Sequence, residues 1–236
     1  ISGMFEYYDP QNDTTNYCHL TKLDENGNRI WEHRCNVGPL IQIEDFYLAV
    51  DGSFFFAGFS YTEDRGSDAV LMKLDESGDL LWIRQFGGLG NESFKKISQL
   101  SDGNLILAGN TNSFEDRAFS DGYFVKVDEE GEEIWSSSVG TQDDEEIYSG
   151  ISTEDNGFIV VGYVWFGDRF ELYLSRIDSL GLELWSRVYG QENELLTRFV
   201  WGKDIVQLED GGFAVIAFNG HRGEDHPTDT IYLQRI

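Results

Sequence analysis

Acidic residues next to arginine recur at a similar place in several parts of the sequence. The pairs are Asp64-Arg65, Asp116-Arg117 and Asp168-Arg169, and Glu224-Asp225 stands at the matching place further along. Carboxylate oxygens bind hard cations such as Ca²⁺, and guanidinium groups bind acidic or hydroxyl groups. The pattern predicts a face that binds a cationic partner, calcium or a polar glycan. The alternative is structural, because exposed Asp-Arg pairs can bridge neighbouring loops and contribute little stability.

One tryptophan and further acids stand close to these pairs. Trp165 precedes Asp168-Arg169, and we expect it to anchor a sugar ring or a protein partner, with packing at a sheet edge as the alternative. Other acids cluster at Asn91-Glu92, at Asp143-Asp144-Glu145-Glu146 and at Asn193-Glu194. Solvated loops are the favoured interpretation of these clusters, and a weak cation site is the alternative. No cofactor is expected, calcium is possible, and no metal ligand can be named.

A repeat of about fifty residues contains these candidates. The phrase Asp-x-x-Gly-x-x-x-Trp ends at Trp31, Trp82, Trp135 and Trp185, and these tryptophans are 51, 53 and 50 positions apart. Turns at Asp51, Asp102, Asp155 and Asp210 are each followed seven positions later by a small residue, which is Gly58, Gly109, Gly162 or Ala217. Such turns between apolar runs predict two hairpins of fixed length in each repeat.

The connection between the two hairpins varies in length, whereas the hairpins do not. From the small residue to the next turn aspartate it spans 16 to 21 positions. This connection and the one that leads to the next repeat should emerge at the same end of the sheets. Binding residues on a rigid β scaffold usually lie in such loops, so the Asp-Arg pairs should share one loop face.

The repeat predicts an all-β fold, a β-propeller of about five blade-like four-stranded repeats whose first and last members are incomplete. The repeats cover approximately residues 1–38, 39–88, 89–140, 141–190 and 191–236, and we expect them to form one domain over residues 1–236. The tryptophans should pack between blades, because their spacing follows the repeat.

The net charge of −26 restricts the possible partners. It repels phosphate groups, so nucleic acids and anionic membrane surfaces are not expected partners, whereas basic proteins and cations are compatible. The alternative is that the acidity only keeps the protein soluble. No apolar run is long enough to cross a bilayer, and no signal peptide is visible at Ile1. We expect any targeting segment to lie outside the printed sequence.

The hairpin around Glu25-Asn26-Gly27, which precedes Trp31, predicts which residues of its two strands lie opposite one another. If Glu25-Asn26-Gly27 forms a three-residue loop, His19 lies opposite His33. The same register puts Cys18 and Cys35 on opposite faces, which favours two free thiols. A change of one residue in the turn would instead oppose the cysteines and permit a disulfide.

The segment Lys22-Leu23-Asp24-Glu25-Asn26-Gly27-Asn28-Arg29-Ile30-Trp31, together with Asp210-Gly211-Gly212-Phe213 and Gln85-Phe86-Gly87-Gly88, resembles the β-propeller repeats of bacterial secreted and surface proteins. It is also distantly similar to the tryptophan-docking phrase of quinoprotein-type propellers, although one residue is missing between Asp and Gly. No set of residues matches the cofactor site of those enzymes. The resemblance implies a scaffold or binding module, secreted or on the cell surface.

We therefore expect a non-enzymatic propeller module that mediates protein-protein interaction through its acidic loop face. One alternative is a glycan-binding or glycan-processing propeller. A second alternative is a set of structural spacer repeats in a larger surface protein.

Overall fold

The computed structural model describes residues 2–5, 17–36, 41–62, 66–113, 119–190, 199–220 and 230–235. These ranges contain eighteen β-strands and no helix, so no described helix is long and apolar enough to cross a membrane. The chain divides into two compact units, residues 1–97 and 98–236. The sequence-based expectation of one domain stays a prediction.

The first unit contains a three-stranded and a four-stranded antiparallel sheet. The strands of the first sheet are β1 (Ser2–Phe5), β2 (Tyr17–Leu23) and β3 (Arg29–Asn36). Those of the second sheet are β4 (Ile41–Leu48), β5 (Phe54–Thr62), β6 (Gly66–Leu74) and β7 (Leu80–Phe86). Each strand pairs with the next one along the chain, as in a blade of a propeller.

The division between the units falls inside β8 (Glu92–Gln99), the first strand of the third sheet. That sheet continues with β9 (Leu105–Thr111), β10 (Asp121–Val127) and β11 (Glu133–Val139). The fourth comprises β12 (Asp144–Ser152), β13 (Phe158–Trp165), β14 (Phe170–Ile177) and β15 (Glu183–Tyr189), followed by β16 (Phe199–Gln207), β17 (Phe213–Gly220) and β18 (Thr230–Arg235). One parallel pair, Phe170 with Phe199, joins β14 to β16.

The all-β class and the four-stranded antiparallel repeats are confirmed, while the number of blades stays a prediction. The inner strands are buried along almost their whole length: every residue of β9 is buried, whereas most of β11 is partly or fully exposed. Inner strands are apolar on both faces because sheets pack against both faces. In the second unit, Phe124 of the third sheet and Phe158 of the fourth meet edge to face in one buried cluster.

The repeated aspartate shapes the hairpin between the third and fourth strands of each sheet. In the third sheet, Asp128 Oδ1 accepts hydrogen bonds from the backbone N–H groups of Glu130 and Glu132, at 3.0 and 2.8 Å. Gly131 has φ +77°, a left-handed conformation that glycine adopts without a steric cost. In the other three hairpins, Oδ1 of Asp24, Asp75 or Asp178 likewise accepts hydrogen bonds from the N–H groups two and four positions later. The predicted fixed-length hairpin is confirmed.

Asp128→Ala should lower the free energy of unfolding by about 1 kcal/mol, because two backbone N–H groups lose their protein acceptor and must bond to water instead. Asp128→Asn keeps one side-chain oxygen as an acceptor and should cost less. Urea denaturation of both variants measures the difference, and Glu129→Ala in the same exposed turn is the control. Equal stability of Asp128→Ala and the wild type would show that the turn does not need this acceptor.

A bulge follows each of these turns and corrects the predicted register. In the first sheet Leu23 pairs with Arg29, but Lys22 pairs with Trp31, so Ile30 is the extra residue. Leu81, Ile134 and Leu184 are the extra residues in the other three hairpins, and all four side chains are half exposed or more. After the bulge, each tryptophan pairs with a lysine or arginine of the neighbouring strand.

The expected pairing of His19 with His33 is therefore wrong. His33 pairs with Leu20, and His19 pairs with Arg34. Cys18 and Cys35 are direct partners in the backbone register, so the prediction that they lie on opposite faces is also wrong. The side chains of both cysteines lie outside the described part of the chain, and the choice between free thiols and a disulfide stays a prediction.

A second bulge explains the small residue that recurs in the second strand. In β12 the register shifts between Ile147 and Ser149, next to the pair formed by Ile147 and Gly162. A Cβ on Gly162 would stand 1.8 Å from the backbone oxygen of Glu146. Gly58 has the same relation to the backbone oxygen of Gln42, at 1.9 Å. The bulged strand leaves no space for a side chain at these positions.

Trp135 connects the third and fourth sheets within the second unit. Its Nε1 donates a hydrogen bond to the backbone oxygen of Ser179 at 3.2 Å. Its ring covers Gly181, where a Cβ would stand 2.7 Å from the indole carbons. In the first unit, Trp31 of the first sheet meets Phe54 of the second edge to face, with ring centroids 6.3 Å apart. Both tryptophans pack between sheets, as their spacing predicts.

Candidate functional site

Three of the nine predicted loop-face residues lie in the described part of the chain. They are Trp165, Asp168 and Arg169, at the connection between β13 and β14. The remaining six, Asp64, Arg65, Asp116, Arg117, Glu224 and Asp225, lie outside the described residues. The fourth sheet therefore provides the described part of the candidate site.

Four aromatic side chains form a continuous group at this end of the fourth sheet, which we call the aromatic corner: Tyr148, Tyr163, Trp165 and Phe170. The ring centroids of Tyr148 and Tyr163 are 5.8 Å apart, and those of Tyr163 and Phe170 are 4.5 Å apart. Phe170 and Trp165 follow at 6.3 Å with their planes tilted by 31°. Trp165 is 42% exposed, so the corner ends in a solvent-accessible indole.

The strand register brings these rings and two carboxylates to one face of the sheet. Trp165 pairs with Asp144 of β12 on one side and with Phe170 of β14 on the other. Tyr163, two positions earlier in β13, pairs with Glu146. Directly paired residues of antiparallel strands point to the same face, and so do residues two apart. The aromatic corner is therefore bordered by acidic side chains.

The short loop beside the corner is a tight turn. The Phe166 N–H donates to the backbone oxygen of Arg169 at 3.0 Å, and Gly167 has φ +87°. The Arg169 guanidinium lies 4.8 Å from the centroid of the Phe166 ring. Its Nε donates to Glu171 Oε1, and Nη1 lies 3.7 Å from Asp168 Oδ1. The predicted Asp168-Arg169 pair exists, with Glu171 as the closer acid.

The charges around the corner are predominantly negative. Lys203 of β16 holds its Nζ 4.2 Å from the centroid of the Tyr148 ring, so its charge and that of Arg169 lie on aromatic faces. The acids at this end of the sheet are Asp143, Asp144, Glu146, Asp168 and Glu171. Burial and then the charge of Glu146 raise the pKa of Tyr163, so its hydroxyl stays protonated at ordinary pH.

The acids between repeats are not simply solvated, which corrects the favoured interpretation of Asn91-Glu92 and Asp144-Glu145. Glu92 and Glu145 are each 1% exposed. Glu92 Oε2 accepts a hydrogen bond from the Gly88 N–H, and Glu145 Oε1 accepts one from the Thr141 N–H, both at 3.1 Å. Each carboxylate thus links the first strand of a sheet, β8 or β12, to the connection that precedes that strand. Asn193-Glu194 lies outside the described residues.

Glu145 lies beside a second carboxylate. A Cβ on Gly140 would stand 2.1 Å from Asp121 Oδ1 and 2.7 Å from Glu145 Oε2, so the two oxygens converge on one point. Oε2 is buried without a hydrogen-bond partner. Burial raises the pKa of Glu145 to about 7, the hydrogen bonds from Thr141 oppose the shift, and the charges of Asp121 and Asp143 add to it.

A carboxyl group of this pKa suits general acid-base chemistry, but the burial of Glu145 keeps a substrate away from it. The hydroxyl of Tyr173 is also buried, and its pKa is raised by burial and then by the charge of Glu145. No group of three or more Asp, Glu, His or Cys side chains suited to a metal occurs among the described residues. Calcium binding stays a prediction from the sequence.

The edge of this site was predictable from the sequence, whereas most of its residues were not. Tyr163 and Trp165 stand two positions apart in a strand, and this alternation could have placed both on one face. Tyr148, Phe170 and Lys203 come from other strands, and no local signal connects them with Trp165. The pairing of β12, β13 and β14 and the position of β16 bring them together.

Comparisons with known proteins find distant relatives. No protein-family profile matches the chain. The regulatory protein FlaEY of Caulobacter vibrioides is 26% identical over 137 residues, which cover 53% of this chain. The chain spans 14% of the length of that curated relative. This similarity covers too little of either protein to assign a family.

Solved structures resemble this chain to different degrees. A polysaccharide lyase, a PL25 ulvan lyase, superimposes with a TM-score of 0.52 at 11% identity, covering 95% of this chain and 62% of the lyase chain. The WD40 domain of Neurospora crassa Pan2 has a TM-score of 0.36 at 11% identity, covering 94% of this chain and 76% of that domain. At this identity the lyase shows the fold alone. The chain is an all-β protein built of propeller-like four-stranded sheets.

Proposed function

We propose that this chain is a non-enzymatic, β-propeller-like interaction module that docks a partner protein with a basic surface through the aromatic corner. The observation that carries the proposal is the exposed Trp165 at the end of a continuous row of aromatic rings bordered by carboxylates. Tryptophan, tyrosine and arginine dominate the binding energy of protein interfaces. The corner contains tryptophan and tyrosine, and Arg169 lies in the loop beside it.

The shape of the corner favours a protein over a single sugar ring. The four rings come from three strands and end at Trp165. Arg169 and Phe166, which stack on one another in the adjacent loop, extend the surface beside them. A central aromatic cluster inside a polar rim is the usual arrangement of a protein interface. The corner provides such a cluster on rigid strands, which keeps the entropic cost of binding low.

The charge of the corner selects the partner. The acids outnumber the two cations around it, and the whole chain carries a net charge of −26. Complementary charge accelerates association and discriminates against partners of the same sign, which include nucleic acids. We therefore propose a basic protein partner and, from the resemblance of the repeats, a location outside the cell or on its surface.

Trp165→Ala should weaken binding of such a partner by about tenfold or more, because a tryptophan that anchors an interface commonly contributes about 2 kcal/mol. Wild-type and Trp165→Ala proteins, immobilised side by side, are exposed to an extract of the source cells. Candidates that the wild type alone retains are then purified, and their affinity is measured by calorimetry at two salt concentrations. Leu180→Ala, which removes an exposed apolar side chain from a turn, is the matched control.

The proposal requires a purified basic protein that loses affinity with Trp165→Ala, keeps it with Leu180→Ala, and binds more weakly at high salt. A partner that binds both variants equally well would place the interface elsewhere. Binding to an immobilised glycan panel through Trp165, with no protein partner, would replace the proposal with glycan recognition. Failure of every candidate to bind the purified module would refute the docking role.

A further inference from the structure

The first unit contains a cavity of about 980 Å³ near the turn ends of its two sheets. Its apolar wall includes Leu20 and Trp31 from the first sheet and Phe46 and Phe54 from the second. Ligand sites in proteins commonly have a volume of about 300 to 1,000 Å³. The cavity belongs to the first unit and the aromatic corner to the second, so a ligand of the cavity does not depend on the proposed function.

The second unit shows how the same repeat position is closed elsewhere. There, Trp135 donates its Nε1 hydrogen to the oxygen of Ser179 in the next turn and covers Gly181. In the first unit the corresponding residues, Trp31 and Glu76, both line the cavity. Trp31 is partly buried, as Trp135 is, and its side chain also borders this open space.

The aromatic wall is held in place by ring contacts. Trp31 meets Phe54 edge to face, and Phe54 and Phe46 each contact Phe56, at 6.4 and 5.9 Å between ring centroids. Phe56 is fully buried and anchors this group in the core. Aromatic faces that are fixed before binding attract a cation without a cost of reorganisation.

Two exposed carboxylates, Glu25 and Glu76, occupy the same repeat position at the border of the cavity. Neither forms an ion pair with a described residue. The Glu76 side chain lies next to Gly52 of the neighbouring turn: its Oε2 is 3.7 Å from the point where a Cβ on Gly52 would stand. The carboxylates therefore remain available to a ligand, and Lys22 is the one basic residue among the described lining residues.

The other two acids of the lining already have partners. Asp24 Oδ1 accepts hydrogen bonds from the backbone N–H groups of Asn26 and Asn28. Glu32 contacts Arg29 and His19. The negative charge that remains for a ligand is thus concentrated on Glu25 and Glu76, which line the cavity together with Trp31.

We propose that this cavity binds an organic cation on an apolar stem, with the chemistry of an arginine or lysine side chain. The aromatic wall would contact the stem and the cation, and Glu25 and Glu76 would pair with the charge. The cation can come from a free small molecule or from a basic segment of a protein, and the chemistry of the cavity is the same for both.

The test uses the whole chain and follows the indole N–H signals by NMR, with Trp31 assigned through Trp31→Phe. N-acetyl-arginine amide and N-acetyl-lysine amide are titrated against the neutral N-acetyl-norleucine amide. We expect a saturable shift of the Trp31 signal with the cations and a dissociation constant about fivefold or more higher for the neutral probe. A short arginine-containing peptide is then compared with N-acetyl-arginine amide. Tighter binding of the peptide would identify a protein segment as the natural ligand, and weaker binding of the peptide would identify a free small-molecule cation.

Matched variants separate this site from general attraction to an acidic protein. Glu25→Gln with Glu76→Gln should weaken cation binding by about fivefold or more, whereas Glu129→Gln with Glu130→Gln, in the exposed turn of the third sheet, should leave it unchanged. Melting curves establish that both double variants fold. The proposal is overturned if Trp31 shows no saturable shift, if the neutral probe binds equally well, or if the two double variants weaken binding equally.

Discussion

Gly162→Ala should abolish the folding of the second unit, with a loss of more than about 4 kcal/mol in the free energy of unfolding. The added Cβ would stand 1.8 Å from the backbone oxygen of Glu146 and 3.0 Å from the Cα of Ile147. Both neighbours belong to the backbone of a bulged strand, so no flexible side chain can move aside. Circular dichroism and urea denaturation of the purified variant measure the effect.

The chain offers a matched control at the same repeat position. Ala217 pairs with Gly202 next to the equivalent bulge, and the strand accepts its methyl group. Ala217→Gly should cost only about 1 kcal/mol, because it mainly adds conformational freedom to the unfolded chain. A Gly162→Ala protein with wild-type stability would show that the bulge can relax, and the packing argument would then be wrong.

Glu145→Gln should stabilise the protein above pH 7 and have little effect near pH 4.5. The folded protein raises the pKa of Glu145 from 4.5 to about 7, so between these values it binds more protons than the unfolded chain. The free energy of unfolding therefore falls as the pH rises through this range, by at most about 3 kcal/mol, and the loss is complete above the folded pKa.

The glutamine removes the charge that causes this loss and keeps the hydrogen bonds. Its amide oxygen can accept from Thr141, as Oε1 does now, and its N–H groups would face Asp121. Melting temperatures between pH 4 and pH 9 should diverge from the wild type above pH 5, by several degrees at pH 8. Glu129→Gln, an equal change of net charge in an exposed turn, controls for global charge. Parallel curves for Glu145→Gln and the wild type would contradict the raised pKa.

The buried carboxylates also change how the net charge of −26 is understood. Glu92 and Glu145 accept hydrogen bonds from backbone N–H groups, and the turn aspartates do the same in their hairpins. Part of the acidity thus serves the fold, because carboxylates accept hydrogen bonds that neutral side chains accept more weakly. Other acids stay exposed, among them Asp168 beside the aromatic corner and Glu25 and Glu76 at the cavity.

Local chemistry made much of the architecture predictable. Asp128 and Gly131 stand three positions apart and shape one turn through contacts within five residues, so their spacing alone indicates the hairpin. The recurrence of this turn along the sequence indicates an all-β repeat. The same reasoning failed at the first hairpin, because nothing near Gly27 in the sequence announces that Ile30 is an extra, unpaired residue.

The sequence by itself determined the repeat, the two hairpins of each four-stranded sheet and the acidic character of the loops, since these depend on neighbours along the chain. The tertiary structure decided which carboxylates are buried, which rings surround Trp165 and where a tryptophan remains open to a cavity. Burial and electrostatic shifts depend on groups that are distant in sequence, such as Asp121 beside Glu145 and Lys203 over Tyr148. The repeat pattern treats its copies as equivalent, and only packing makes Trp31 different from Trp135.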